Sequence, residues 1–208
     1  MPIAAVLWYH RSDVSAPDPQ NPYRFQRERP RLGRGVYLSP QAFVAGDVVL
    51  GDDVSVWPMA VIRGDVNRIV VGARCNIQDG AVLHVTHEGP ATPEGGPLVM
   101  GEDITVGHRA ILHACTVGAR CLIGMGAIVM DRVVVGDDVM IGAGAVVTPG
   151  TVLEPRTLWK GSPARLARPL SDAEVDMLRY SAGHYVRLKD RYLEDLALAA
   201  SPGPDPEE

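Results

Sequence analysis

Three histidines, His84, His108 and His113, stand where a shared metal ion would need them. Each falls one or two residues after an aliphatic residue: Leu83-His84, Val106-Gly107-His108 and Leu112-His113. Neutral imidazole is a common ligand for zinc, and three such ligands leave a coordination position open for water or substrate. Polar groups gather in matching places nearby, with Arg63 and Asp65 after Ile62, and Gln78 and Asp79 after Ile77. A lone histidine with this setting would read as a surface residue. Three at corresponding positions read as a ligand set.

The elements that must position them are announced by a count of six. From Met100 onward an aliphatic residue opens each block: Met100, Val106, Leu112, Val117, Ile123, Val129, Val135, Ile141, Val147 and Leu153, with Trp159 closing the series. Every step is six residues except Leu112 to Val117, which is five. The fifth place of each block is small or branched, as at Ile104, Ala110, Cys121, Ala127 and Val133. A period of six suits neither an amphipathic helix nor a long half-buried strand. It is the signature of a parallel β-helix, in which short strands and turns stack coil on coil. The repeat begins near Val44 and runs through Leu50, Val56 and Ile62, with fifth places at Val48, Val54, Ala60 and Val66. It slips by three residues near Asn67-Arg68 and resumes at Val71, Ile77 and Leu83. The eleven surplus residues between Leu83 and Met100, turn-rich from His87 to Pro97, predict a loop thrown outward from one coil.

Three blocks to a coil give each block a face. Ile62, Leu83, Leu112, Val129 and Val147 share face one; Val71, Met100, Val117, Val135 and Leu153 share face two; Ile77, Val106, Ile123, Ile141 and Trp159 share face three. His84 and His113 then stack in adjacent coils of face one, with backbones about 5 Å apart. Two imidazoles at that spacing reach one ion at about 2.0–2.1 Å. His108 follows Val106 on face three, in register with Asp79, and points from a different edge. The count therefore predicts a metal site between subunits of a three-fold assembly, with His84 and His113 from one chain and His108 from the next. Arg63 falls one coil below His84, and Gln78 and Asp79 one coil below His108. The bland reading of Arg63, Asp65 and Asp79 is an ion-pair network that closes the interface. Gln78 has the better claim to a functional role, since an uncharged amide orients a nucleophile without neutralising it.

The remaining chain sets the frame. At 208 residues there is room for one domain with a sizeable core, and 22 Gly against 2 Phe suit a thin repeat core. The net charge of −5 and the absence of a Lys/Arg cluster argue against nucleic acid as a partner. No apolar run approaches the roughly 20 residues of a membrane span. Ile3 to Trp8 is short, lacks a basic lead and makes a poor secretory signal, so a cytoplasmic protein is expected. Cys75, Cys115 and Cys121 form no Cys-x-x-Cys pair and read as reduced thiols, two of them at inward fifth places. The expected organisation is an extended arm over 1–35, a parallel β-helix over 36–166, a helix over 167–200 and a disordered acidic tail over 201–208. Ser171 and Glu174 fit a capping box, and an apolar stripe from Val175 to Leu196 is expected to pack on the β-helix or on a neighbour, with a kink at Gly183.

Together, Arg63-Gly64-Asp65, Asn76-Ile77-Gln78-Asp79-Gly80, Leu83-His84, Gly107-His108 and Leu112-His113 resemble the gamma-class carbonic anhydrase family. His84-Val85-Thr86-His87, Ile123-Gly124-Met125-Gly126 and Gly161-Ser162-Pro163 are similar to its bacterial YrdA-like branch. The resemblance covers roughly residues 36–196. It implies a homotrimer of left-handed β-helices, each with a C-terminal helix; the left hand comes from the family alone, because parallel crossovers generally favour the right. It implies that His84, His108 and His113 bind zinc, or iron or cobalt in its place, and that Arg63, Asp65, Asn76, Gln78 and Asp79 form the interface network. The implied activity is reversible hydration of CO2, a small-molecule substrate. Two departures bear on it. Archetypal members carry Glu where this chain has Val66 and His87, and their long acidic loop is here reduced to Glu88 and Glu94. His87 is therefore either a substitute proton shuttle or a solvated loop residue. Two other classes stay open: acyl transfer or acyl-CoA thioester hydrolysis, common on hexapeptide scaffolds, and a non-catalytic, metal-stapled assembly subunit.

Overall fold

The computed structural model describes residues 28–90 and 92–200. Most of the expected arm, the stretch Ile3–Trp8 and the tail over 201–208 lie outside those residues. Within them the chain winds as a left-handed, hexapeptide-repeat β-helix followed by one C-terminal helix.

The six-residue count places the strands of all three faces from Ile62 to Trp159. Face one stacks Ile62 on Leu83, Leu112, Val129 and Val147. Face two stacks Val71 on Met100, Val117, Val135 and Leu153. Face three stacks Ile77 on Val106, Ile123, Ile141 and Trp159. All of these pairings are parallel and in the predicted register. The opening residues from Val44 to Leu153 point inward and form a single apolar core with the fifth-place residues. The three thiols belong to that core as well, and burial pushes each of them up to about 12. Cys115 takes the inward place of the one five-residue block.

The first slip in the count falls differently from the expectation. Val66 is 46% exposed, and Ile69, fully buried, fills the inward place instead. The strand Val61–Val71 runs round a corner, and its pairing with Phe43–Leu50 jumps from Gly46↔Gly64 to Val48↔Ile69. The extra residues bulge outward before the fifth place rather than after it, which a count cannot reveal. The second irregularity is the predicted loop. Thr86 and Gly96 close its neck with two backbone hydrogen bonds of 3.0 and 2.9 Å.

Corners between faces are tight, and the third residue after each opening residue commonly takes a left-handed conformation. Between faces two and three these corner residues run Asp53, Arg74, Asp103, Arg120, Asp138, Arg156, all with φ near 57°. Only a few per cent of non-glycine residues adopt such angles. Here acid and arginine alternate coil by coil. Arg74 grips Asp103 at 2.7 Å and Glu102 at 2.8 Å, and Arg120 grips Asp138 at 2.7 Å and Asp137 at 3.0 Å. At the ends of the stack Lys189 of the helix reaches Asp53 at 2.9 Å, and Arg156 reaches Asp172. Beside this corner the coils nearly touch: a Cβ on Gly72 would sit 2.3 Å from the carbonyl oxygen of Gly101, so only glycine fits.

After the last coil, Arg165–Pro169 adds an antiparallel edge strand to Thr157–Lys160, where the sequence suggested that the helix follows directly. The helix starts at Asp172, because Ser171 is its cap: Ser171 Oγ accepts from Glu174 N at 3.3 Å, and Glu174 Oε2 accepts from Ser171 N at 2.9 Å. It then runs through Gly183 as one element to Ala200 and lies along face three of its own chain. Leu170, Val175 and Leu178 pack on Leu122, Met140 and Leu158, while Tyr185 and Tyr192 meet Trp57 at centroid distances of 5.7 and 5.1 Å. Lys189, 1% exposed, sits in the same stripe between Asp53 and Asp190.

Candidate metal centre

His84 and His113 end two adjacent face-one strands, Val82–His84 and Ile111–His113, which pair His84↔His113 in register. Each side chain follows an inward leucine and so points outward from the prism. The ring centroids lie 5.2 Å apart, and His84 Nδ1 faces His113 Nε2 at 3.1 Å. Two donors on one tetrahedral zinc, each about 2.0–2.1 Å from it, would be about 3.3 Å apart. The observed 3.1 Å is close to that separation, and is also a hydrogen-bonding distance between the two rings.

The remaining ring nitrogens are each engaged by a carboxylate. Asp65 Oδ1 meets His84 Nε2 at 3.2 Å, and Arg63 in turn holds Asp65 Oδ2 at 2.5 Å. Asp131 Oδ1 meets His113 Nδ1 at 2.8 Å, and its other oxygen accepts from the Thr86 hydroxyl. Asp79 Oδ2 meets His108 Nδ1 at 2.9 Å. Metal-binding histidines characteristically carry this kind of partner, which fixes the tautomer and aims the free nitrogen. Burial lowers the pKa of His84, against the pull of Asp65, which favours the neutral ring that a metal requires. Burial alone would raise the Asp65 carboxyl, but hydrogen bonds from Arg63 and His84 outweigh it and hold the group below the usual range.

The third histidine stays apart. His108 lies at the corner between faces three and one, half-exposed with its partner Asp79. Among the described residues of one chain no group of three His, Cys, Asp or Glu side chains is placed to hold a metal ion.

Gln78 and Asn76 form a separate, buried polar line on face three. Gln78 Nε2 donates to Asn76 Oδ1 at 3.0 Å, Asn76 Nδ2 donates to Thr105 Oγ1 at 2.9 Å, and Thr105 meets Ser181 of the helix at 3.0 Å. The helix thus fixes the orientation of the Gln78 amide through two intermediaries. His87 lies exposed just beyond the loop neck, and Thr92 Oγ1 donates to its carbonyl at 3.1 Å. Of the residues that the sequence singled out, Arg63, Asp65, His84 and His113 come together in one cluster. Asp79 pairs with His108 elsewhere, Asn76 and Gln78 lie under the helix, and His87 joins none of these. Sequence reasoning missed Asp131 and Thr86. Asp131 stands two residues after Val129, one coil beyond His113 on face one and one place out of the histidine column, so the count alone gave no signal for it.

The comparisons with known proteins agree with this fold. A hexapeptide-repeat family described as "Bacterial transferase hexapeptide (six repeats)" matches residues 114–149. Protein YrdA of Escherichia coli is 53% identical over 165 residues, which cover 79% of this chain and 90% of that protein. The chain belongs to the gamma-class carbonic anhydrase-like family, in its YrdA-like branch. Within it, a protein named carbonic anhydrase from Geobacillus kaustophilus is 36% identical over 174 residues, covering 84% of this chain and 91% of that one. The crystal structure of a hexapeptide transferase family protein from Anaplasma phagocytophilum superposes with a TM-score of 0.65 at 37% identity, covering 77% of this chain and 96% of that chain.

Proposed function

We propose that the chain is a carbonic anhydrase that hydrates CO2 reversibly at metal sites formed between copies in a homotrimer, with zinc as the ion, or iron or cobalt in its place. The three carboxylate–histidine pairs carry this reading, because each leaves one ring nitrogen available and two of those nitrogens already face each other at 3.1 Å. A neighbouring chain supplies His108 to the His84–His113 pair. Support for a covered face one comes from its outward residues: Val61, Val82, Ile111, Ile128 and Val146 stack as an apolar ladder beside the histidine column. All five are only half-buried in one chain, as a surface awaiting a partner would be.

With zinc bound, the chemistry supplied is a hydroxide nucleophile at neutral pH. The chain's own residues do the rest. Asp65, Asp131 and Asp79 hold the three imidazoles in the tautomer that presents a lone pair. Gln78, its Nε2 committed to Asn76, presents an uncharged amide that orients substrate. His87, exposed at the foot of the loop, takes the proton that each turnover releases and passes it to solvent. Relatives named carbonic anhydrase support this assignment over acyl transfer. The hexapeptide transferase structure keeps acyl transfer as the second reading.

A mixing experiment tests the shared site. His84→Ala and His108→Ala chains, each alone, lose zinc at every interface. Co-refolded in equal amounts they regain complete sites at about one interface in four, since a head-to-tail contact is productive in one order only. His84→Ala mixed with His113→Ala regains none, because both lesions fall on the same half. Equal zinc content in the two mixtures would show that His108 does not cross between chains. Acyl-CoA hydrolysis assayed beside CO2 hydration separates the two activities, and full activity without metal would favour acyl transfer.

A further inference from the structure

The carboxylates behind the histidines are not equivalent. Asp65 shares its charge with Arg63 at 2.5 Å, so the anion behind His84 is partly compensated. Asp131 has no cation among its hydrogen-bond partners described above. It receives His113 Nδ1–H on one oxygen and the neutral Thr86 hydroxyl on the other. Its charge therefore bears on His113, fixing Nδ1 as the protonated nitrogen and leaving Nε2, the atom that faces His84, as the donor pair.

Thr86 is also the neck of the outward loop. Its backbone N–H and carbonyl both bond Gly96, and Asn67 Nδ2 donates to the same carbonyl at 3.2 Å. The opposite side of the neck is fitted to the ligand strand: a Cβ on Gly96 would lie 2.9 Å from the Ala114 Cβ, directly after His113. The side chain of Thr86 thus ties the loop base to the carboxylate behind a ligand.

We propose that Asp131 is a positioning residue for the metal centre, clamped by Thr86, so that the loop neck sets the orientation of the His113 ring. This rests on the metal-centre reading above. Asp131 touches neither substrate nor ion. It acts through His113, and Thr86 acts through Asp131.

The test uses the full chain loaded with zinc, and reads affinity by chelator competition and ligand geometry by the visible spectrum of the cobalt-substituted protein. Asp131→Ala should weaken zinc binding about 10- to 100-fold and shift the cobalt bands. Asp131→Asn, which keeps an acceptor but not the charge, should fall between Asp131→Ala and wild type. Thr86→Val, nearly isosteric, should weaken binding by about tenfold or less, and should add nothing to the Asp131→Ala loss, as expected for residues that act in series. Metal-free Asp131→Ala should unfold at the same temperature as metal-free wild type. If it does not, Thr86→Val and the cobalt spectrum decide: unchanged bands in both variants would overturn the proposal. Wild-type zinc affinity in Asp131→Ala, in a protein where His113→Ala abolishes binding, would overturn the proposal and leave the metal-centre reading standing. A wild-type chain that binds no zinc would overturn both.

Discussion

At the scale of residues the centre is a set of paired groups, and the pairs differ in how far the sequence showed them. His84, His108 and His113 were legible because a count of six fixes their faces, and the observed register His84↔His113 follows from that count alone. Arg63 with Asp65 and Asp79 with His108 were legible for the same reason. Asp131 was not, since an isolated acid after Val129 looks like any corner residue until its oxygen is found 2.8 Å from His113. His87 remains the residue whose role depends on chemistry rather than position. As the shuttle, His87→Ala should slow CO2 hydration several-fold or more in dilute buffer while zinc content stays unchanged, and added imidazole should restore the rate, since general acid–base groups contribute about 10²–10⁴. An active enzyme indifferent to this substitution would return His87 to the role of a solvated loop residue.

At the scale of elements the stacking was readable and the seams were not. Inward aliphatic residues at a fixed spacing leave one solution for each coil, but a slip of three residues can be absorbed on either side of an inward place, and here Ile69 rather than Val66 points in. Lys189 illustrates the other blind spot. A lysine within an apolar stripe reads as solvated, yet this one is buried because Asp53 and Asp190 meet it at the end of the corner stack. The helix start, by contrast, was plain from Ser171 and Glu174. The hydrogen bond from Arg168, with help from Ser171, holds the Glu174 carboxyl down at about 2, against the usual value of 4.5. A depressed carboxylate contributes its stabilisation in full above its ordinary value and loses it as pH falls through the folded-state one. Amide protection in the first turns of the helix, measured relative to the intrinsic exchange rate at each pH, should therefore fall between about pH 4.5 and 2, and Glu174→Gln should remove that fall. Ser171→Ala should cost about 1 kcal/mol at neutral pH. A helix whose exchange is indifferent to both changes would show that packing on face three holds it without the cap.

At the scale of the whole molecule, stability is distributed along one continuous core, and each coil bonds only its neighbours. An unpaired charge anywhere in that core should propagate: Val135→Asp, at a position 2% exposed, should cost about 4 kcal/mol or more and yield insoluble or partly unfolded chain. A fully folded, soluble Val135→Asp protein would contradict the register. The same architecture explains why eleven surplus residues could enter one coil without disturbing the coils on either side. It also sets a rule for how such a chain can grow. The corner run Asp53, Arg74, Asp103, Arg120, Asp138, Arg156 alternates in sign, so its true unit is two coils, although the hexapeptide pattern repeats in every block. Duplicating or deleting a single coil would stack acid on acid or arginine on arginine at the join, while a change by two would keep the alternation. Length variation in a lineage that retains this corner should come in even steps, with the charge column acting as a parity check on the number of turns.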